Sequence, residues 1–122
     1  MPYLYYPDAT AALAFLVTAF GFEELTAVRD EDGTVWTAQV STGDGVVMIG
    51  PGMAEFGTRA MPEGAAATAR TFVFVDDLDD HYGRALASGA TILTEPVAHG
   101  PNRIYVAGDP GGQQWIFATP LS

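Results

Sequence analysis

The feature that most constrains this 122-residue chain is an internal echo. Tyr6-Pro7-Asp8 and Val75-Asp76-Asp77 each close an extended aromatic segment and open a stretch with the apolar spacing of a helix. In the first copy "YLYY" runs into "PDATAALAFLVTAFGF". Asp8 is placed as the N-cap, Ala12, Leu13, Leu16, Val17 and Phe20 make an apolar stripe, and Gly21 suits the C-terminal stop. In the second copy "TFVFV" runs into "DDLDDHYGRALASGA", with Asp77 as cap, Leu78, Tyr82, Ala85 and Leu86 as the stripe and Gly89 as the stop. Three further extended segments follow each helix: "EELTAVRD", "VWTAQVST" and "GVVMIG", then "ATILTE", "NRIYVAG" and "QQWIFA". Turn residues separate them at Asp32-Gly33, Asp44-Gly45, His99-Gly100-Pro101 and Asp109-Pro110-Gly111-Gly112. The pattern predicts βαβββ twice, an α+β fold in one domain. Module 1 covers about 1–50, a linker about 51–70 and module 2 about 71–122. Neither module alone buries both faces of its sheet, so the two must pack together.

The bulk numbers remove several function classes. The absence of cysteine excludes disulfides, thiolate metal sites and a cysteine nucleophile. Fifteen acidic residues against five arginines and no lysine give a net charge of −10, which repels a phosphate backbone and argues against nucleic acid as a partner. The same field favours a cationic small molecule, although an acidic surface also serves solubility alone. Pro7 and Asp8 interrupt the first apolar stretch and no basic region precedes it, so it reads as neither a signal peptide nor a membrane span, and a cytoplasmic location is the default expectation.

Motifs that carry chemistry are sparse. No Gly-x-Ser-x-Gly and no Gly-rich phosphate loop is present. His81 sits beside the second helix's stripe among Asp79, Asp80 and Arg84, which reads as a solvated face, and His99 in the turn "EPVAHGPN" is the weak candidate for a general base, with Glu95 four residues before it. The run Asp76, Asp77, Asp79, Asp80 complements a helix dipole rather than a cation. In the linker, Met53, Phe56 and Met61 are candidates for a lid or for pocket contact. Aromatic residues on the strands make the stronger case for a pocket: Tyr3, Tyr5, Trp36, Phe72, Phe74, Tyr105, Trp115 and Phe117. Trp36, Tyr105 and Trp115 are expected to stack on a flat ligand, with Gln39, Asn102, Arg103 and Gln113 orienting it through polar contacts and Arg70 holding a carboxylate or reaching solvent. Gln113 and Gln114 are expected to open the last strand.

"DATAALAFLVTAFGFEE", "VDDLDDHYGRALASGATIL" and "YVAGDPGGQQWIFATP" resemble the vicinal oxygen chelate superfamily, the group of glyoxalases, bleomycin resistance proteins and extradiol dioxygenases. The resemblance implies two βαβββ modules whose sheets curl into a half-open barrel, usually completed in a homodimer, with the ligand cavity inside the curl. It also implies a metal ligand, His or Glu, on the first and last strand of each module. The matching positions here fall at or near Met1, at about Met48, at Arg70 and at about Ile116, none of which is such a ligand. The usual His or Tyr after the Asp-Pro-x-Gly turn is Gln113.

The reading that follows is a metal-free, dimeric binding protein of the bleomycin-resistance or glyoxalase-like type, without cofactor, that sequesters a small aromatic or cationic molecule, as antibiotic resistance proteins do. Two alternatives stay open: an enzyme of the same superfamily with atypical metal ligands, and an accessory dimer without a ligand.

Overall fold

The computed structural model describes residues 1–121 and contains the expected elements in the expected order. Strand β1 (Tyr3–Tyr5) leads into helix α1 (Ala9–Phe20), followed by β2 (Glu23–Arg29), β3 (Val35–Ser41) and β4 (Val46–Gly50). After the connecting segment, β5 (Arg70–Phe74), α2 (Leu78–Ala87), β6 (Thr91–His99), β7 (Asn102–Gly108) and β8 (Gln114–Pro120) repeat the plan. Each module forms a mixed four-stranded sheet, in the orders β1-β4-β3-β2 and β5-β8-β7-β6. The first and last strands of each module pair in parallel and the remaining neighbours antiparallel, and the two sheets do not join into a closed barrel.

Local chemistry accounts for the helix ends. The Asp8 carboxylate accepts from the Ala11 amide and that of Asp77 from the Asp80 amide, each at 3.0 Å, filling the free N–H positions of a first turn. Gly21 stops α1 in the left-handed region at φ 69°. α2 ends at Ala87: Ser88 is its C-cap, and Gly89, the expected stop, follows in the left-handed region at φ 87°. The stripe of α2 also differs from expectation. Leu86 is exposed, while Leu78, His81, Tyr82 and Ala85 turn inward, a run of i, i+3, i+4 and i+7 in which His81 occupies an apolar position.

Within one chain the modules meet through these helices. The core joins Leu13, Leu16, Phe20 and Phe22 of the first module to Leu78, Tyr105, Trp115 and Phe117 of the second. Arg84 of α2 donates to the carbonyls of Val17 and Thr18, at 3.2 and 2.8 Å, and so caps the last turn of α1. His81 donates from Nε2 to the Phe20 carbonyl at 2.9 Å, and its Nδ1 accepts from the Tyr105 hydroxyl. A carbonyl can only accept, which fixes this neutral tautomer. His81 is therefore a half-buried structural residue, not part of a solvated face.

A second pair of junctions follows the internal symmetry. The β7–β8 turn meets the end of β1 where Tyr6 donates to Asp109, and the β3–β4 turn meets the end of β5 where the Phe74 amide donates to Asp44 at 2.8 Å. Asp109 is 7% exposed and takes hydrogen bonds from the Tyr6 hydroxyl, the Trp115 indole and the amides of Gly111 and Gln113. Gly111 is required there, since a Cβ would lie 2.3 Å from the Tyr6 ring.

Two boundaries depart from expectation. β6 continues through Pro96 to His99, and the proline is tolerated because β6 is an edge strand whose register shifts between Thr94 and Val97. Gln113 belongs to the turn and β8 begins at Gln114.

Candidate functional site

Alternation along the strands gives each sheet one face packed on helices and one open face. In the second sheet Val73, Trp115, Phe117, Tyr105 and Ala107 face α2 and join the core. The other parity puts Phe72 beside Ile116 and Ile116 beside Val106, with Arg70 beside Gln114 and Phe74 beside Ala118, all on the open face. In the first sheet the matching row is Tyr3, Met48 and Gln39. Tyr3 stacks on Tyr5 and Phe72 packs edge-on against Phe74, at centroid distances of 4.9 and 5.1 Å. These four rings lie on β1 and β5, each an edge strand of its sheet, and Tyr3, Phe72 and Phe74 remain 37%, 46% and 45% exposed.

The connecting segment completes the site. Thr58 folds it back on itself, its hydroxyl accepting from the Met53 amide at 2.9 Å. Residues 59–69 then lie against β1 and enclose a recess of about 340 Å³ lined by Tyr3, Leu4, Tyr5, Arg59, Met61, Pro62, Thr68 and Gln113. A second recess shares Ala66, Thr68 and Ala69 with it and extends to Arg70 and Gln114. The Arg70 Nε donates to Gln114 Oε1 at 2.7 Å.

The expected site residues divide between the two faces. Gln39, Arg70 and Gln113 reach the open face or its recess, although both backbone polar groups of Gln113 are engaged with Asp109. Tyr105 and Trp115 do not reach it: both are fully buried on the helix-facing side, where they pack against Phe117, so the expectation that they stack on a ligand is corrected. Arg103 has the same parity as Tyr105 and pairs with Asp79 of α2. Asn102 stands at the far end of β7 beside Pro120. Trp36 is the extra residue of a bulge, since Arg29 pairs with Val35 and Val28 with Thr37; it is half-exposed and does not line the recess. His99 is exposed at the end of β6, away from the recess. In the connecting segment Met61 lines the recess, whereas Phe56 is 73% exposed and covers nothing. The rings that do occupy the open face, Tyr3, Tyr5, Phe72 and Phe74, were visible as strand aromatics, but sequence alternation alone does not say which parity faces the helices.

Electrostatics divide the same way. Burial holds the Tyr6 and Tyr105 phenols well above their ordinary value, with the Asp109 carboxylate adding to the effect at Tyr6. Burial also raises the Asp109 carboxyl, against hydrogen bonds from Tyr6, Trp115, Gln113 and Gly111 that favour its ionised form. These groups lie in the seam between modules and serve folding.

The metal positions implied by the resemblance do not fit a divalent ion. Met1 lies exposed ahead of β1, Met48 pairs with Tyr3, Arg70 with Gln114 and Ile116 with Phe72. None offers a carboxylate or imidazole, and among the described residues no three of His, Asp and Glu come together as a metal cluster. Among the described residues no helix is long and apolar enough to cross a membrane.

The model of the glyoxalase/bleomycin resistance protein/dioxygenase superfamily matches residues 2–117. An uncharacterised protein of Mycobacterium bovis is 32% identical over 98% of this chain and 82% of its own length. Among solved structures, TioX of Micromonospora sp. ML1 is 29% identical with a TM-score of 0.78, covering 97% of this chain and 92% of its own. TnmS3, an antibiotic binding protein of Streptomyces sp. CB03234, shares the fold at 19% identity and a TM-score of 0.71, covering 97% and 91%.

Proposed function

Since the chain belongs to the glyoxalase/bleomycin resistance protein/dioxygenase superfamily, we propose that it is a metal-free member that binds and sequesters a small aromatic molecule on its open sheet face. One observation carries this reading. Where metal-dependent relatives are expected to direct ligands, this chain has Met48, Arg70 and Ile116; the ring pair Tyr3–Tyr5 lines the recess of about 340 Å³, and the ring pair Phe72–Phe74 stands on the strand that carries Arg70. Aromatic walls with a few polar groups suit a planar organic ligand held by stacking and hydrogen bonds. The likeness in fold to an antibiotic binding protein supports the class of activity and makes aromatic antibiotics natural compounds to test.

The same reading includes a homodimer. Val28, Phe72, Phe74, Leu93 and Val97 are each 45% or more exposed, and a second copy facing this surface closes the half-open site.

The test is a thermal-shift screen of planar aromatic compounds in buffer containing EDTA, with hits repeated on Phe72→Ala. Stabilisation by a subset of compounds, weakened in the variant, supports the reading. Stabilisation only after a divalent ion is added points to the metal-dependent alternative, and no response to any compound points to an accessory module.

A further inference from the structure

Two arginines remain once the charges of this acidic chain are paired. Of its five arginines, Arg29 pairs with Glu24, Arg103 with Asp79, and Arg84 is spent on the carbonyls of Val17 and Thr18. Arg59 and Arg70 have no acidic partner among the described residues, and both line the recesses beside β1 and β5. No aspartate or glutamate lines either recess. Of the acids nearest in the chain, Glu55 lines neither recess, Glu63 lines an adjoining recess with Pro7 and the 109–112 turn that shares Met61, Pro62 and Ala65 with the first, and Asp76 stands with Asp44 at the opposite end of β5 beside Phe74. A molecule with net charge −10 thus turns its uncompensated positive charge toward the candidate site.

The geometry at Arg70 narrows the ligand. Its Nε is held by Gln114 Oε1 at 2.7 Å, and among the described residues no acceptor takes the two terminal NH2 groups. A guanidinium anchored through Nε presents a planar fork, which matches the two oxygens of a carboxylate. The Gln114 amide nitrogen adds a neutral donor beside it. Phe72, two residues along the same strand and on the same face, offers a ring surface next to the fork.

We infer, resting on the binding reading above, that the ligand is an aromatic carboxylate whose anionic group is held by Arg70, with Arg59 supplying a second positive charge and the ring lying against Phe72. This replaces the cationic ligand that the net charge alone suggests, because the charged side chains lining the two recesses are arginines.

The experiment compares three probes with one ring system by isothermal titration into the full chain: 2-naphthoate, the neutral 2-naphthamide and 2-naphthylmethylammonium. The inference expects 2-naphthoate to bind at least about tenfold more tightly than 2-naphthamide, as a charge-assisted bidentate pair does over a neutral hydrogen bond. Arg70→Gln should abolish that difference, weakening 2-naphthoate far more than 2-naphthamide, and Arg70→Lys should restore only part of it. Equal binding of the three probes, or preference for the ammonium compound, overturns the carboxylate assignment and leaves the aromatic-binding reading intact. Failure of all three to bind overturns the assignment, and the EDTA screen then decides separately whether any aromatic ligand is taken. The comparison on the unaltered protein stands whether or not the variants fold.

Discussion

Tyr6 and Asp109 stand 103 residues apart in the chain and are joined by a buried hydrogen bond of 2.6 Å, phenol to carboxylate. The bond ties the strand that opens module 1 to the turn that precedes the last strand of module 2. Asp109 Oδ2 also accepts from the Trp115 indole at 3.0 Å, and Oδ1 from two backbone amides, so the carboxylate is fully used by donors. Asp109→Asn turns an NH2 group toward one of these donor pairs and should cost about 1–3 kcal/mol, the penalty of a buried unsatisfied group. Tyr6→Phe should cost a similar amount, and the double variant less than the sum, because both remove one network. Urea denaturation of the four proteins checks this; additive losses would show that the two residues act independently.

The pH dependence of stability should carry the mark of His81. Burial lowers its pKa from the ordinary 6.5, outweighing the hydrogen bond to Phe20 that favours the charged ring. The folded state then binds this proton less readily than the unfolded state, so the contribution is complete above about pH 6.5 and is lost as the pH falls toward the depressed value. Asp109 acts in the opposite sense: its raised pKa makes stability fall as the pH rises above the ordinary 3.8. Melting curves of the wild type and His81→Gln between pH 4 and 8, about the range in which histidine titrates, separate the two. The variant should be flatter just below pH 6.5, and an unchanged profile would contradict the assignment.

Aromatic substitutions should separate stability from binding. Trp115→Ala removes a fully buried side chain and should destabilise by about 3–5 kcal/mol. Phe72→Ala, from a ring 46% exposed, should leave the fold within about 0.5 kcal/mol yet weaken an aromatic ligand by about 0.5–1.5 kcal/mol. Thermal melts and titration with the best compound of the screen read both quantities, and a Trp115 variant with normal stability would contradict the placement of that ring.

These contrasts also show what the sequence could and could not reveal. The βαβββ repeat was legible because Asp8 and Asp77 cap helices by a local mechanism, and because turn residues punctuate the strands. Which aromatic residues line the site was not legible, since the parity of Trp115 against Ile116 is set by packing against a helix more than 25 residues earlier in the chain. His81 was concealed by its acidic neighbours, although its spacing from Leu78, Tyr82 and Ala85 marks an inward position. Asp109 was visible only as a turn residue; its partner Tyr6 is too distant in sequence for any local pattern to connect them.

The proposed homodimer makes a prediction for the uncovered face. A surface that leaves Val28, Phe72, Phe74, Leu93 and Val97 partly exposed should associate, and sedimentation equilibrium should report twice the chain mass of 12.9 kDa. Val97→Glu places a charge in that face and should shift the equilibrium toward monomer. A wild-type monomer at concentrations well above the micromolar range would contradict the dimer.

The central claim is that binding needs no metal, and it is tested most directly by titrating the tightest compound from the screen into protein stripped with EDTA, then into the same protein resupplied with manganese, zinc or nickel. The account predicts the same dissociation constant in every case and no chemical change in the compound. Binding that appears only with a metal ion, or conversion of the compound when one is present, would contradict it.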